Sequence, residues 1–420
     1  MADSANQGAP APTAIDRPGG IGQAEFIAIV ASMMALNAVA VDIMLPALPN
    51  MGDALGISDE NSRQYVLTSY FLGFGLAQIV FGPLSDRFGR MIPLQVGMAI
   101  YVIGAFAGAL SPDFSWLLAA RFVQGIGAAS TRVLSLAIVR DVYGGRKMAE
   151  VTSLIIMVFM AAPVIAPAAG QVIIVFADWR MIFIFMAVAC ALSMLWAWWR
   201  LPETLTTDRR RPLTPARVIE AFGIVLSSRI ALGYGLATTA TLGALFGFIA
   251  ATQQIYVGIY GLGVWFPAVF AISAGVVALA SFLNSRLVGR FGMRPLSHGA
   301  MFGFAAFSLL WFLLSYYAGP ISFVPFLILV SIIFFFFAGV VSNFNALAME
   351  PLGAVAGTGS AVLGFMQTVG GALIGIWVGQ AFDGTATPVA FGFVAVSVAT
   401  IGFVLVAERG KLFQTHNPPV

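Results

Sequence analysis

The chain is a succession of long apolar runs separated by short polar breaks, and each run is close to the ~20 residues that carry a helix across the hydrocarbon of a bilayer. Twelve such runs fit, over residues 25–48, 63–84, 91–110, 114–139, 149–176 and 179–199, then 230–253, 264–288, 295–317, 321–347, 356–382 and 389–406. Between the sixth and seventh lies a polar stretch carrying Arg209, Arg210 and Arg211. The pattern predicts an all-α membrane protein of 12 transmembrane helices in two pseudo-symmetric six-helix bundles. Its expected parts are a disordered tail (1–22), an N-terminal bundle (23–201), a linker (202–222), a C-terminal bundle (223–408) and a second tail (409–420).

A faint repeat relates the halves. Arg87-Phe88-Gly89-Arg90-Met91-Ile92-Pro93-Leu94 resembles Arg290-Phe291-Gly292-Met293-Arg294-Pro295-Leu296 after a one-residue gap, and the same offset carries the start of the first run to that of the seventh. Two parallel halves around a central site is a transporter architecture.

Composition agrees with this reading. The chain is 60% hydrophobic and 9% charged, with mean hydropathy +0.93, against about 25% charged in an ordinary soluble domain. A net charge of +3 and a pI near 9.2 raise the question of nucleic acid. The basic residues are spread through short loops instead of forming one patch, which argues against it. The lone Cys190 lies in an apolar run, so no disulfide within the chain is possible and helix packing is the plain reading. Residues 1–22 lack the short apolar core of a cleaved signal and read as a disordered tail, leaving the first run as an uncleaved insertion signal.

Charge also sets the expected orientation. All but four of the 21 Lys and Arg fall in the tails and the loops on the side of the termini; Arg63 and Arg180 fall opposite, and Arg121 and Arg132 lie within a run. By the positive-inside rule both termini are expected in the cytoplasm.

Two groups of residues carry candidate chemistry. Gly82-Pro83-Leu84-Ser85-Asp86-Arg87-Phe88-Gly89-Arg90 forms the loop between the second and third runs. Its glycines suit a tight turn, Asp86 can cap a helix, and Arg90 finds an expected partner in Arg140-Asp141 at the end of the fourth run. Such a cluster can latch an inner gate in one state and release it in another; alternatively Arg87 and Arg90 only set topology.

The second group is Asp42 and Arg121. An ionised group at mid-membrane costs about 2.5–3.5 kcal/mol on the insertion scale, so it is expected to face a cavity and to have a partner. Asp42 lies roughly 9 Å, and Arg121 roughly 10 Å, from the outer ends of their runs, so their depths match. In such a cavity desolvation favours a protonated acid and a nearby guanidinium favours the carboxylate. A shift of Arg121, or an arriving substrate, then switches Asp42 between the two forms; the other reading is a static buried pair. Gln124 and Asn37 are within reach of the pair, or else form helix-to-helix hydrogen bonds. Arg132, close to three turns after Arg121, shares its face of the helix. It either lines the cavity, disfavouring simple cations, or snorkels to the surface about 10 Å away.

The Gly82–Arg90 segment resembles the loop signature of the major facilitator superfamily. Together with Asp42-Ile43-Met44-Leu45-Pro46-Ala47-Leu48-Pro49 and Arg121-Phe122-Val123-Gln124-Gly125-Ile126-Gly127-Ala128-Ala129, it is similar to the bicyclomycin and chloramphenicol resistance (Bcr/CflA-type) exporters. Arg140-Asp141, Asp178-Trp179-Arg180 and Gly357-Thr358-Gly359-Ser360-Ala361 add to the resemblance, as do Pro163, Pro167 and Gly170 of the fifth run, where Ala162 and Ala166 stand at positions often held by glycine. The resemblance implies a drug:proton antiporter, with Asp42 and Arg121 in proton coupling and the Pro163, Pro167, Gly170 stretch as an antiporter motif. Some exporters of this type carry a second acid two turns earlier, where this chain has Met34. One proton per cycle is therefore expected.

In the second half Gln253, Gln254, Asn343, Asn345 and Gln367 are neutral polar groups among many phenylalanines, which suits a greasy cavity for amphiphilic drugs; Gln253, Asn343 and Asn345 are the candidate cavity residues. Phe334 to Phe337 are expected to face lipid and neighbouring helices, and Gly371, Gly375 and Gly379 to form a close helix contact. His298 and His416 stand apart from other ligands, no metal cluster occurs, and no GxxxxGKS/T loop is present, so no enzyme activity is expected. No cofactor is expected, the energy coming from the proton gradient. The expected partners are a small amphiphilic substrate, protons and the lipid bilayer, and the expected setting a monomer in a bacterial inner membrane. A metabolite or siderophore exporter, or an uncoupled facilitator, would use the same scaffold, and a channel or membrane scaffold is the reading from another class.

Overall fold

In a computed structural model, residues 20–210 and 215–414 are described. The expected tails lie largely outside them. All regular structure among the described residues is helical, and 12 helices are long and apolar enough to cross a membrane. We number them spans 1 to 12: Gln23–Ala54, Ser62–Phe88, Met91–Ala109, Phe114–Val142, Glu150–Phe176, Arg180–Arg200, Arg229–Ile259, Gly263–Phe291, Met293–Tyr317, Phe323–Gly353, Thr358–Gln380 and Thr387–Glu408. An even number of spans puts both described ends on one face, called here the termini face; the other is the distal face.

Spans 2, 8 and 10 carry 3-10 turns at one end, and three others depart from regular α-helix within their length. Span 1 is regular only over Gln23–Asp42, then passes through a short 3-10 turn, Leu45–Ala47, into Leu48–Ala54. Pro46 has no N–H to give the carbonyl of Asp42, and Pro49 starts the next helix, so the ladder breaks there. Span 1 therefore runs past the expected end at 48, and Asp42 sits deeper than its sequence position suggested, roughly 18 Å from the distal end. Spans 7 and 11 contain π-helical turns, Gln254–Ile259 and Met366–Gly370.

The expected linker also contains a helix, Pro215–Ser227. Proline suits its first position, and its apolar residues recur at helical spacing. Phe222 packs edge-on against Phe365 with ring centroids 6.0 Å apart, Val225 is buried, and Ile219 and Leu226 are exposed.

The two bundles meet along two seams, span 2 against span 11 and span 5 against span 8. One apolar core runs through the N-terminal bundle and into the distal part of the C-terminal bundle. The termini-face part of the C-terminal bundle has a separate core around Tyr234, Met301, Phe344 and Ala407. The halves are thus fused near the distal face and distinct near the termini face. Glycine makes the closest approaches possible: a Cβ on Gly375 would stand 2.8 Å from Cβ of Phe246 and 3.1 Å from the Gly247 nitrogen, so spans 7 and 11 touch backbone to backbone. Phe334 and Phe337 are buried, while Phe335 is 37% exposed on the outer surface beside spans 8 and 9.

Candidate functional site

The break in span 1 frees backbone carbonyls, and Arg121 takes them. Met44 N–H bonds to Val41 O at 3.4 Å, not to Ala40 O as a continuous helix would require. The Ala40 oxygen instead accepts from Arg121 Nη2 at 2.9 Å, while Nε donates to Val66 O at 3.2 Å and Nη1 to Gln124 Oε1 at 2.6 Å. The Tyr70 ring lies under the guanidinium, 4.5 Å from its centroid. Arg121 is 0% exposed. It acts as a cationic cap on a broken helix end, joining spans 1, 2 and 4.

This corrects the expected ion pair. No salt bridge joins Asp42 to Arg121, and among the described residues the Asp42 carboxylate has no hydrogen-bond or ion-pair partner, although it is only 5% exposed. Asp42 continues the face of span 1 on which Ser32, Ala35 and Val39 are partly open. On its other side span 5 presses close. A Cβ on Gly170 would strike the Ile43 carbonyl oxygen and lie 3.1 Å from the Pro46 ring, so the absence of a side chain there lets span 5 close on the break. Pro163 and Pro167 lie inside the same helix.

The other candidates fall into several places. Gln124 is buried and holds Arg121, whereas Asn37 turns elsewhere, donating to Thr131 Oγ1 at 2.9 Å and accepting from the Tyr70 hydroxyl at 3.5 Å. Asn343 is 3% exposed and bonded to Asn284 at 2.7 Å, so it faces span 8 and not the cavity. Asn345 is half-buried and accepts from Gln367 Nε2 at 2.7 Å, facing span 11. Between these two faces of span 10, Ser342 and Ala346 are exposed, one turn apart. Arg132 is exposed beside Phe159 of span 5, on the face of span 4 that carries Arg121, while spans 2 and 3 pack heavily on the other faces, so it stands toward the space between the halves and not toward lipid. Thus on one face of span 4 Arg121 is sealed and Arg132, nearer the termini face, is open: the cavity opens toward that face.

The distal end is closed by amides that the sequence reading did not single out, apart from Gln254. Gln64 Nε2 donates to Gln254 Oε1 at 2.6 Å and to Gly379 O at 3.1 Å; Gln254 Nε2 donates to Asn61 Oδ1 at 2.8 Å. Asn61 Nδ2 reaches Phe382 O at 2.8 Å, and Gln380 Nε2 reaches Asn61 O at 2.7 Å. Phe71 and Phe246 stack across the halves at 4.2 Å, and Gln78 donates to Thr368 nearer mid-depth at 3.0 Å. Gln253, expected in the cavity, is half-buried beside this lock.

At the termini face Arg90 is held on several sides. Its guanidinium pairs with Asp141 and Asp86, both at 2.7 Å, and donates to Ser85 Oγ at 2.8 Å. The backbone N–H groups of Arg90 and Met91 donate to Glu203, at 2.8 and 3.2 Å. Gly89 has φ 92°, and a Cβ there would meet the Glu203 carboxylate, so two constraints select glycine. Burial works against the charge of Arg90, but hydrogen bonds and charge from Asp141 and Asp86 outweigh it and hold the guanidinium above its ordinary pKa. Gly82 has open space around it, and Arg87 and Arg140 are exposed. In this conformation the cluster ties spans 2, 3 and 4 to residues 203 and 204 within its own half.

The C-terminal half repeats the arrangement. Arg294 pairs with Glu408 at 2.8 Å and Glu350 at 3.0 Å, and Tyr234 donates to Glu408 at 2.7 Å. The repeat of Arg87-Phe88-Gly89 in Arg290-Phe291-Gly292, which puts Arg294 one residue past the place of Arg90, is the available signal for this cluster.

The model of the Major Facilitator Superfamily matches residues 30–375. The chain is 32% identical over 392 residues to the "Uncharacterized MFS-type transporter YdgK" of Bacillus subtilis, covering 91% of this chain and 96% of the relative. It is 31% identical to the "Bicyclomycin resistance protein homolog" of Haemophilus influenzae, with the same shares covered, and 27% identical to "Multidrug resistance protein D" of Escherichia coli, covering 81% of this chain and 85% of the relative. Among solved structures, a partially occluded inward-open conformation of the xylose transporter XylE from E. coli aligns with TM-score 0.68 at 14% identity, over 90% of this chain and 96% of that one.

Proposed function

This chain belongs to the Major Facilitator Superfamily, and from that premise we propose that it exports small amphiphilic, drug-like compounds in exchange for protons, by alternating access, as a single chain in a bacterial inner membrane with both termini in the cytoplasm. Relatives named for bicyclomycin and multidrug resistance support the substrate class. The excess of Lys and Arg on the termini face supports the orientation.

The observation that carries the proton step is the isolation of Asp42. Arg121, the cation expected to pair with it, is committed to carbonyls and Gln124. An unpartnered carboxylate at this depth is costly as an ion. Asp42 therefore takes its proton when the distal side is open, carries it as the neutral acid through the closed state, and releases it when water from the cytoplasmic cavity reaches the break in span 1. Substrate enters from the same cavity and leaves when the distal amide lock opens. Arg121 holds the broken end of span 1 in place, and Gly170 lets span 5 press on it. No bound cofactor is needed: an inward-moving proton supplies about 2.3 kcal/mol per 100 mV and about 1.4 kcal/mol per pH unit.

Purified protein in liposomes with a pH-sensitive dye inside tests this. Across a panel of neutral, anionic and cationic antibiotics, at least one is expected to drive proton movement. Movement of a compound without any proton flux would establish the uncoupled facilitator instead.

A further inference from the structure

One charged side chain in the cavity has no part in the proton step. Arg132 is exposed toward the space between the halves, with the Phe159 ring 6.0 Å from its guanidinium carbon. Among the described residues no carboxylate lies within salt-bridge distance of it and it makes no hydrogen bond. The buried and half-buried arginines elsewhere differ. Arg121 is capped by carbonyls, while Arg90, Arg200 and Arg294 are each paired with acids. Asp42 does not balance the charge: it is buried, and no ion pair joins it to Arg132.

In the open cavity, water can hydrate Arg132. Alternating access requires the cavity to close around its cargo, and closure removes that water. The guanidinium is then stranded in a low-dielectric space unless the cargo brings a negative charge. The planar fork of arginine matches a carboxylate or sulfonate with two parallel hydrogen bonds. Phe159 offers an apolar surface beside it, and in the other half the exposed Ser342 of span 10 and the Asn345–Gln367 pair of spans 10 and 11 are neutral. We propose that Arg132 is an anion-recognition residue and that the preferred cargo is an amphiphilic organic anion, an apolar body with one carboxylate or sulfonate. This rests on the exporter reading of the cavity but not on Asp42 as the proton site.

The test measures binding, not transport. Full-length protein in phosphatidylcholine nanodiscs is titrated with matched pairs of aryl carboxylates and their methyl esters, nalidixate among them, for wild type, Arg132→Gln and Arg132→Lys. In wild type the anion is expected to bind at least about tenfold more tightly than its ester, the difference expected of a charge-assisted hydrogen bond. Arg132→Gln should bring the two to parity with ester affinity unchanged, which also shows that the variant folds, and Arg132→Lys should keep part of the preference. If no carboxylate binds more tightly than its ester in wild type, or the preference survives Arg132→Gln, the proposal is overturned. A preserved anion preference in a protein that moves no protons would leave this proposal standing and remove only the antiport reading.

Discussion

The two walls of the central cavity come from repeats of one architecture, yet their chemistry differs. Spans 1 and 4 contribute the open Arg132 and, sealed behind it, Asp42 and Arg121, whereas spans 10 and 11 contribute Ser342, Asn345 and Gln367, all neutral. At the termini face the same halves converge, with Arg90 between Asp86 and Asp141 on one side and Arg294 between Glu350 and Glu408 on the other. Charges that hold loops and span ends together are kept in both repeats, and charges in the cavity in only one. On the proposed function, the charge found in one half alone serves transport and the charge kept in both serves structure.

That distinction can be broken at several points. Asp141→Asn and Glu408→Gln each remove an acid from equivalent clusters, so each should lower stability by about 1.5–3 kcal/mol, the range for hydrogen bonds to charged groups. Thermal unfolding in detergent checks this, and a large effect in one half only would end the equivalence. Gly170→Ala places a methyl group against the Ile43 carbonyl, and overpacking of this kind costs about 1–3 kcal/mol. Because the clash falls on the break beside Asp42, proton-coupled flux should fall more than substrate binding.

Asn61→Ala removes bonds that close the distal face without touching the charged wall. It should shift the equilibrium toward distal opening by about 1 kcal/mol, the worth of one net hydrogen bond. Labelling rates at a cysteine introduced at the Asp42-proximal position Val39 in a Cys190→Ser background report it. The smallest effect is expected from Asn345→Ala on the neutral wall. A helix-to-helix hydrogen bond in a membrane averages about 0.6 kcal/mol, a few-fold change in binding spread over many compounds. A tenfold loss for a single compound would show that the neutral wall also selects.

Much of this was readable from the chain. The twelve spans follow from hydropathy, and Arg90 with Asp141 from a short loop of charged and small residues facing an Arg-Asp pair. What failed was partnership. Arg121 was paired with the only acid at its depth, but its acceptors are backbone carbonyls, which no side-chain pattern reveals; Pro46 and Pro49 were the available sign that some would be free. Asn343 and Asn345 looked alike because hydrophobicity does not fix helix rotation in a bundle, and only one of them lies near the cavity. The closing amides Asn61, Gln64 and Gln380 sit at span ends, where a polar residue reads simply as a boundary. The linker helix was hidden by the arginine triplet before it, although Ile219, Phe222, Val225 and Leu226 recur at helical spacing.

The central claim is that Asp42 carries the proton while the rest of the cavity carries the cargo. The most direct measurement compares wild type with Asp42→Asn in proteoliposomes, using a radiolabelled compound that drives proton movement in wild type, once under an imposed pH gradient and once in exchange against unlabelled compound at uniform pH. The account predicts that the Asn variant keeps exchange but accumulates nothing beyond equilibrium under the gradient. Accumulation equal to wild type would contradict it and place the proton site elsewhere.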